Sequence, residues 1–312
     1  MKKIFIALLL MLFSFLGFAK NYLFKTEIPT IIGRWDITID WNGKPVPSWL
    51  EVNHSGNILV GQYVGIVGSA RPISRVNFNA GKINFTIPPQ WEGGQNDITF
   101  EGTLNGNTLS GTMTSSDGKV YTWNAVRAPA LIESAEPAWG ESIQLFNGKD
   151  TTGWHAQGKN QWVVENGVLR SPHSGSNLLT DDAFKNFKLH IEFRYPKGSN
   201  SGVYLRGRYE VQIEDDEGDA PNVSKLGAIY GFIAPSGSAG KPAGEWQAYD
   251  IILVGRMVTI VLNGVTLVCN REIPGITGGA INSNESEPGP LLIQGDHGPI
   301  EYRNIVLTPA KE

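Results

Sequence analysis

The chain has 312 residues, of which 41% are hydrophobic and 18% charged, and its net charge at pH 7 is −4. This composition indicates a globular protein with enough chain for about two domains. Mild acidity disfavours nucleic acids and anionic membrane surfaces as partners, whereas a neutral ligand such as a sugar is compatible with it. The only cysteine, Cys269, excludes an intramolecular disulfide, and its position beside an apolar stretch predicts a small buried side chain.

The first 19 residues are predicted to be a secretory signal that is removed after about Ala19. Two lysines at positions 2 and 3 precede an apolar run at residues 4–18, and a small residue follows at the cleavage site, which is typical of such signals. Removal of this segment changes the net charge from −4 to −6. An uncleaved anchor is the alternative, but the run is short for a bilayer span. We therefore expect an exported protein, periplasmic or secreted, without a membrane anchor.

Residues 20–127 are predicted to form a small all-β domain, either a barrel or a sandwich. Short stretches with alternating hydrophobic residues recur at close spacing, and Asn42-Gly43 and Asn105-Gly106 are typical of hairpin turns. Three tryptophans in this region are either a platform on which sugar rings stack or hydrophobic residues that fill the ends of a barrel, and we favour the second interpretation. They are Trp41, Trp49 and Trp91.

Residues 128–140 contain two prolines and no periodicity, which predicts a linker. From residue 141 to the end, about a dozen candidate strands follow, one of them at Ala228–Ile233, and no long amphipathic helix is indicated. Asn166-Gly167 and Asn263-Gly264 are hairpin signals between such strands. The pattern favours two stacked antiparallel sheets, a β-sandwich with one face left for a ligand.

The segment from Asn200 to Asp216 has the clearest alternation in the chain. One predicted face is apolar and consists of Val203, Leu205, Val211 and Ile213. The other is polar and consists of Tyr204, Arg206, Arg208, Glu210 and Gln212. A three-residue loop at Gly207–Tyr209 would place Arg206 opposite Glu210 and Tyr204 opposite Gln212 on one face. This pattern predicts either a binding face or a structural Arg–Glu pair across two strands.

Several segments of residues 141–308 together resemble a family of exported bacterial domains described as 3-keto-disaccharide hydrolases. The shared segments are Leu145–Asp150 with Gly153-Trp154, Asn200–Gly202, Tyr204–Gly207, Tyr209–Ile213, Gly227–Gly231, Gly244–Trp246, Leu262–Gly264, Gln294–Gly298 and Tyr302–Ile305. The resemblance implies a concanavalin A-like jelly-roll sandwich that holds an oligosaccharide or glycoside. It also implies cleavage of sugars already oxidised to a ketone at C3, by hydrolysis or by elimination followed by hydration.

The implied chemistry requires a base, a donor or cation for a developing oxyanion, and an acid for the leaving oxygen. Glu210 is the first candidate for the base, and Arg206 would hold the enolate oxygen or neutralise Glu210. Asp296 and His297 follow an apolar strand in a glycine-rich segment, and the histidine would protonate the leaving group. The alternatives are a structural carboxylate paired with arginine and a histidine that caps a loop.

Further residues are predicted to bind substrate on the same face or within the shared segments. They are Tyr204, Gln212, Glu192, Tyr230, Glu245 and Gln294. No cofactor is assigned with certainty. A divalent cation held by Glu192, Glu210, Asp296 and His297 is an alternative that no contiguous metal motif supports.

Two other functions remain open at the level of sequence. Ordinary glycoside hydrolysis would use two carboxylates, Glu210 with either Glu192 or Glu245, and their separation would decide between retention and inversion. A carbohydrate-binding module would capture a glycan without cleaving it, and the fold alone does not separate the two classes.

Overall fold

The structure, a computed structural model, describes residues 31–133, 135–216 and 218–311, so the predicted signal at residues 1–19 lies outside the described part. All regular elements in these residues are β-strands, and none of them is a helix. In the same ranges there is accordingly no helix that could span a bilayer. Gly33–Glu312 forms one compact unit, and the predicted boundary between two domains stays a prediction.

Eight antiparallel strands close into a barrel, which confirms the first of the two predicted architectures for this region. They are β1 (Gly33–Trp41), β2 (Lys44–Ser55), β3 (Ile58–Val64), β4 (Arg71–Asn79), β5 (Lys82–Ile87), β6 (Ile98–Asn105), β7 (Thr108–Thr114) and β8 (Val120–Arg127). The interior is aromatic: Phe85 stacks on Phe100 at 4.7 Å, and Tyr63 packs beside it. This closure leaves no unpaired strand edge in the barrel.

Thirteen further strands build two sheets. They are β9 (Ile143–Gln144), β10 (Trp154–Ala156), β11 (Val163–Glu165), β12 (Val168–Ser171), β13 (Leu178–Thr180), β14 (Phe187–Arg194), β15 (Asn200–Leu205), β16 (Tyr209–Glu214), β17 (Gln247–Val254), β18 (Met257–Leu262), β19 (Val265–Glu272), β20 (Leu292–Ile293) and β21 (Ile300–Pro309). One sheet has the order β10-β13-β20-β15-β16, and the other has the order β11-β12-β21-β14-β17-β18-β19 with β9 beside β21.

The two sheets face each other and bury one continuous apolar core, as the predicted jelly-roll sandwich requires. Alternate residues of β14, such as Ile191, meet alternate residues of β15 and β16, such as Val203 and Val211. The opposite face of β15 and β16 is polar and is also buried. This second face is therefore covered by something other than the facing sheet.

Local sequence signals placed most turns correctly. Asn42-Gly43, Asn166-Gly167 and Asn263-Gly264 all have positive φ at both residues, as tight hairpins with a right-handed twist require.

The strand predicted at Ala228–Ile233 is wrong, because this segment makes only isolated bridges at Ile229. β10 was not predicted, and Cys269 is exposed rather than buried.

The barrel packs directly on the sandwich. Trp49 of β2 is fully buried in the sandwich core, where its ring meets Phe232 edge-on at 5.3 Å. A side chain at Gly275 would collide with the Trp49 indole, since a Cβ there would lie 2.2 Å from Nε1. The Ser283 hydroxyl donates to the carbonyl of Ile37 at 2.6 Å. Trp49 is thus a structural residue and offers no face to a sugar.

Candidate active site

A cavity of about 550 Å³ lies on the polar face of β15 and β16. Its walls come from the five-stranded sheet, the loops near residues 230, 278 and 296, and two loops of the barrel. The lining residues are Val67, Gly68, Trp91, Asn177, Asn200, Tyr204, Glu210, Gln212, Tyr230, Gly278, Gly279, Gln294, Asp296 and His297. A cavity of this size is typical of a site for a small molecule.

The β15–β16 hairpin presents the predicted faces in a different register. Tyr204 pairs with Glu210 and Gly202 pairs with Gln212, so the predicted pairs were wrong by two residues. The three-residue loop is Arg206–Arg208, one residue earlier than predicted, and Arg206 lies in the left-handed region at φ 54°. A shift of two residues preserves which side chains share a face, and Tyr204, Glu210 and Gln212 therefore all reach the cavity.

Glu210 is the buried carboxyl group of this cavity, with 4% of its surface exposed. Its Oε2 accepts a hydrogen bond of 2.9 Å from the Tyr204 hydroxyl, which also lies 3.0 Å from the carbonyl oxygen of Gly278. Burial raises the pKa of Glu210 to about 8, although the Tyr204 hydrogen bond and the positive charge of His297 oppose the shift. Glu210 can therefore gain or lose a proton near neutral pH.

Asp296 and His297 form the second titratable pair of the cavity. Their side chains meet at 2.7 Å between Asp296 Oδ1 and His297 Nδ1, and both line the cavity although they are adjacent in sequence. The hydrogen bond to Asp296 raises the pKa of His297 above its ordinary value, and the negative charges of Asp296 and Glu210 add to the effect. The imidazolium form of His297 thus persists to higher pH than that of a free histidine.

Two buried amides complete the polar lining. Gln212 and Gln294 are each more than nine-tenths buried, and their Oε1 atoms have no hydrogen-bond partner among the described residues. Such oxygens are strong acceptors that a ligand hydroxyl can satisfy. The backbone N–H of Tyr230 donates to the Glu210 carbonyl at 3.0 Å, which fixes Tyr230 next to the buried carboxyl group.

Residues 141–308 are similar to a known family of domains. The family model of the 3-keto-alpha-glucoside-1,2-lyase-like domain matches residues 141–308, more than half of the chain. The chain belongs to this family. A 3-keto-disaccharide hydrolase of Bacteroides thetaiotaomicron is 28% identical over 151 residues, which cover 36% of this chain and 52% of the relative. The chain thus spans about half the length of that curated relative.

Two solved structures are similar to part of this chain. A candidate glycosyl hydrolase from Parabacteroides distasonis is 29% identical with a TM-score of 0.47, and the match covers 56% of this chain and 92% of that one. A second candidate glycosyl hydrolase from the same organism is 22% identical with a TM-score of 0.46, over 55% of this chain and 94% of that one. The family and the name of the curated relative support a glycosyl hydrolase-like function for the 3-keto-alpha-glucoside-1,2-lyase-like domain.

Three predicted site residues lie elsewhere. Arg206 is 0% exposed, and its Nη2 donates to the Tyr209 hydroxyl and to the Gly255 carbonyl, because the turn aims its side chain away from the cavity. Glu192 belongs to the other sheet and accepts hydrogen bonds from Arg303 and Asn304. The exposed Glu245 is not among the residues that line the cavity.

The structure also separates the residues that were considered as metal ligands. Glu210, Asp296 and His297 share the cavity, whereas Glu192 is on the other sheet. Among residues 31–133, 135–216 and 218–311, no group of three or more His, Cys, Asp or Glu side chains has the arrangement of a metal site. The predicted four-ligand set for a divalent cation is therefore not assembled.

Some lining residues were missed by the sequence reasoning. Gly278-Gly279 forms the cavity wall against Tyr204, and the paired glycines were a local signal of close backbone approach. Asn200 lies in a shared segment of the family and was not singled out. Val67 and Gly68 come from the barrel, and no pattern in the sequence indicated that the barrel would reach this cavity.

Gly202 provides a test of how closely Glu210 is positioned. A Cβ at Gly202 would lie 2.5 Å from Glu210 Oε1, so we expect Gly202→Ala to displace the carboxyl group and lower kcat/KM about 100-fold. Gly237→Ala is the matched control, because a Cβ at Gly237 would meet no atom within 4 Å. Both variants are assayed for activity and melting temperature. Unchanged activity in Gly202→Ala would show that the position of Glu210 is not critical.

Proposed function

We propose that this chain is an exported enzyme that cleaves the glycosidic bond of a sugar carrying a ketone at C3. One observation supports the proposal most directly. Glu210, a buried carboxyl group whose pKa is raised to about 8, lines the same cavity as the Asp296–His297 pair. A general base is most effective when its pKa is near the operating pH, and the acid that works with it must still hold a proton there.

In the proposed reaction, Glu210 removes the proton from C2, which the neighbouring ketone makes acidic. The electron pair of that C–H bond forms an enolate whose charge develops on the C3 oxygen. When the ketone forms again, the pair becomes the C1–C2 double bond, the bond from C1 to the leaving oxygen breaks, and His297 protonates that oxygen. Addition of water at C1, with return of the Glu210 proton to C2, completes a net hydrolysis.

The cavity offers groups for the other needs of this reaction. Asn177 Oδ1 accepts a hydrogen bond from the Gly295 N–H at 2.9 Å, which leaves the NH₂ group of Asn177 to donate to the C3 oxygen. The unpartnered amide oxygens of Gln212 and Gln294 are acceptors for sugar hydroxyls. Asn177 thus replaces Arg206 as the candidate donor, since Arg206 does not line the cavity.

Capture of a glycan without cleavage is the second candidate function. The exposed Trp91 and the amides of Gln212 and Gln294 are groups that sugar-binding sites use as well. A buried carboxyl group with a raised pKa distinguishes the enzyme from the binding module, because a neutral glycan needs no base. Two-carboxylate hydrolysis with Glu192 or Glu245 is not supported, since neither lines the cavity with Glu210.

Product analysis by NMR in D₂O tests the proposal. The chain without residues 1–19 is offered maltose and maltose oxidised at C3 of its non-reducing ring. We expect cleavage of the oxidised sugar alone, with deuterium from solvent at C2 of the product. Cleavage of both sugars, or incorporation of ¹⁸O from water at C1 without deuterium at C2, would contradict the elimination route. Binding without cleavage would assign the chain to the glycan-capture class.

A further inference from the structure

The barrel contributes to the cavity, although it lies outside the segment that matches the family. Trp91, on the loop between β5 and β6, lines the cavity with 69% of its surface exposed. Most large aromatic residues of a folded chain are buried. An exposed indole in a cavity wall is therefore a candidate surface for binding a ligand. Val67 and Gly68, on the loop between β3 and β4, line the same part of the wall.

Backbone contacts fix the barrel loop against the sandwich at this point. The Gly279 N–H donates to the Ile66 carbonyl at 2.9 Å. A Cβ at Gly278 would lie 2.2 Å from the Gly68 oxygen, and one at Gly231 would lie 2.6 Å from the Ala70 nitrogen. Because only glycine permits these approaches, the sandwich is shaped to receive residues 66–70 of the barrel.

Trp91 itself is held in place from several sides. Its side chain interacts with the hydroxyl of Tyr230, and this interaction opposes the rise that burial causes in the pKa of Tyr230. The backbone N–H groups of Gln90 and Trp91 donate to Glu92 Oε2 at 2.7 and 3.1 Å, and Glu92 is paired with the largely buried Arg71. A side chain fixed before the ligand arrives loses little conformational entropy on binding.

The order of residues along the wall indicates which part of a ligand Trp91 meets. The backbone N–H of Tyr230 donates to the Glu210 carbonyl, and the Tyr230 hydroxyl interacts with the side chain of Trp91. Glu210 is buried at one end of this series, and Trp91 is exposed at the other. A sugar whose C2 faces Glu210 therefore directs another part of the substrate toward Trp91.

We propose that Trp91 is a stacking platform for the sugar ring that leaves, so that the barrel makes this enzyme selective for substrates with at least two rings. The proposal rests on the proposed function only for the identity of the ring that reacts. One face of a pyranose ring is lined by C–H groups, and an aromatic face binds such a surface well. The barrel thus supplies a second subsite to a site whose reactive groups all come from the sandwich.

Two probes that differ only in the second ring test this subsite. They are methyl α-glucoside and maltose, each oxidised at C3 of the non-reducing ring. We expect Trp91→Ala to raise KM and Kd for the oxidised maltose about tenfold and to change those for the oxidised methyl glucoside less than about twofold. Trp91→Phe, which keeps an aromatic face, restores most of the affinity. Trp246→Ala is the control, because Trp246 stacks with Arg194 and Arg303 and does not line the cavity.

Kinetics and calorimetric binding are measured together so that the subsite and the reaction are judged separately. If wild type binds both probes without cleaving either, and Trp91→Ala loses affinity only for the two-ring probe, the subsite stands and the proposed reaction fails. If wild type cleaves both probes and Trp91→Ala weakens both equally or neither, the reaction stands and the subsite is overturned. Failure of wild type to bind either probe overturns both.

Discussion

Replacing Glu210 with glutamine is expected to lower kcat/KM for an oxidised α-glucoside about 10³-fold or more. The amide cannot take the C2 proton, yet it has the same shape and can still accept the hydrogen bond from Tyr204. The free energy of unfolding should change by less than about 1 kcal/mol, since an uncharged side chain replaces one that burial already holds largely protonated. Activity and thermal melting are measured on the same preparations.

The pH profile of the wild type provides the second part of this test. A base whose pKa is about 8 is mostly protonated at pH 6, so kcat/KM should rise about tenfold per pH unit at pH values well below 8. Loss of the His297 proton lowers the activity again at higher pH, and the two limbs describe the pair of groups together.

Glu214→Gln serves as the matched control for Glu210→Gln. Glu214 lies on the same strand, but it is paired with Lys225 and does not line the cavity. We therefore expect Glu214→Gln to keep wild-type kinetics and the wild-type pH profile. Retention of more than a tenth of the activity in Glu210→Gln, with an unchanged melting temperature, would remove Glu210 from the proposed role.

The alternation of apolar and polar residues predicted the faces of β15 and β16 correctly but not their pairing. Side chains alternate between the two faces of a strand. A shift of the pairing by two residues therefore leaves Val203 and Glu210 on opposite faces. The turn decides between these registers, and a turn of the form Arg206-Gly207-Arg208 has no strong local signature. The two arginines consequently leave the polar face and enter the turn.

The predicted role of Arg206 was wrong for a reason that local patterns cannot show. Its partners are the Tyr209 hydroxyl and the Gly255 carbonyl, and Tyr209 in turn donates to Glu285. Gly255 and Glu285 are far from Arg206 in sequence, and they join this hydrogen-bond network only when the sandwich is folded. Trp91 illustrates the same limit, because its approach to the cavity depends on how the barrel docks. Strand alternation and the family segments indicated Glu210, Asp296 and His297, which line the cavity, whereas the contribution of the barrel depends on tertiary contacts.

A buried charge cluster links the barrel to the sandwich near Arg206. Glu285 accepts two hydrogen bonds from Arg256, at 3.0 and 2.7 Å, and one from the Tyr209 hydroxyl at 2.5 Å. Asp36 of β1 faces the same carboxylate, and burial together with the charge of Glu285 raises the pKa of Asp36 to about 9. At neutral pH, Asp36 is therefore protonated, and Arg256 forms its ion pair with Glu285.

Substitution of Asp36 and substitution of Glu285 are expected to change the stability of the protein in opposite directions. In the unfolded chain Asp36 loses its proton near pH 4, and in the folded chain it keeps this proton to about pH 9. The folded state binds more protons between these values, so stability falls as pH rises through this window. Asp36→Asn removes that decline and should melt a few degrees above wild type at pH 9, with little difference at pH 4.

Glu285→Gln should destabilise the protein, because Arg256 is left buried without its partner. The loss is limited in the single variant, since Asp36 can ionise and take over the charge. In Asp36→Asn/Glu285→Gln neither carboxylate is left, and the free energy of unfolding should fall by about 3–5 kcal/mol. This non-additivity is measured by denaturant unfolding at pH 7. The wild type, both single variants and the double variant are compared. A double variant that loses no more than Glu285→Gln alone would show that Asp36 cannot replace Glu285.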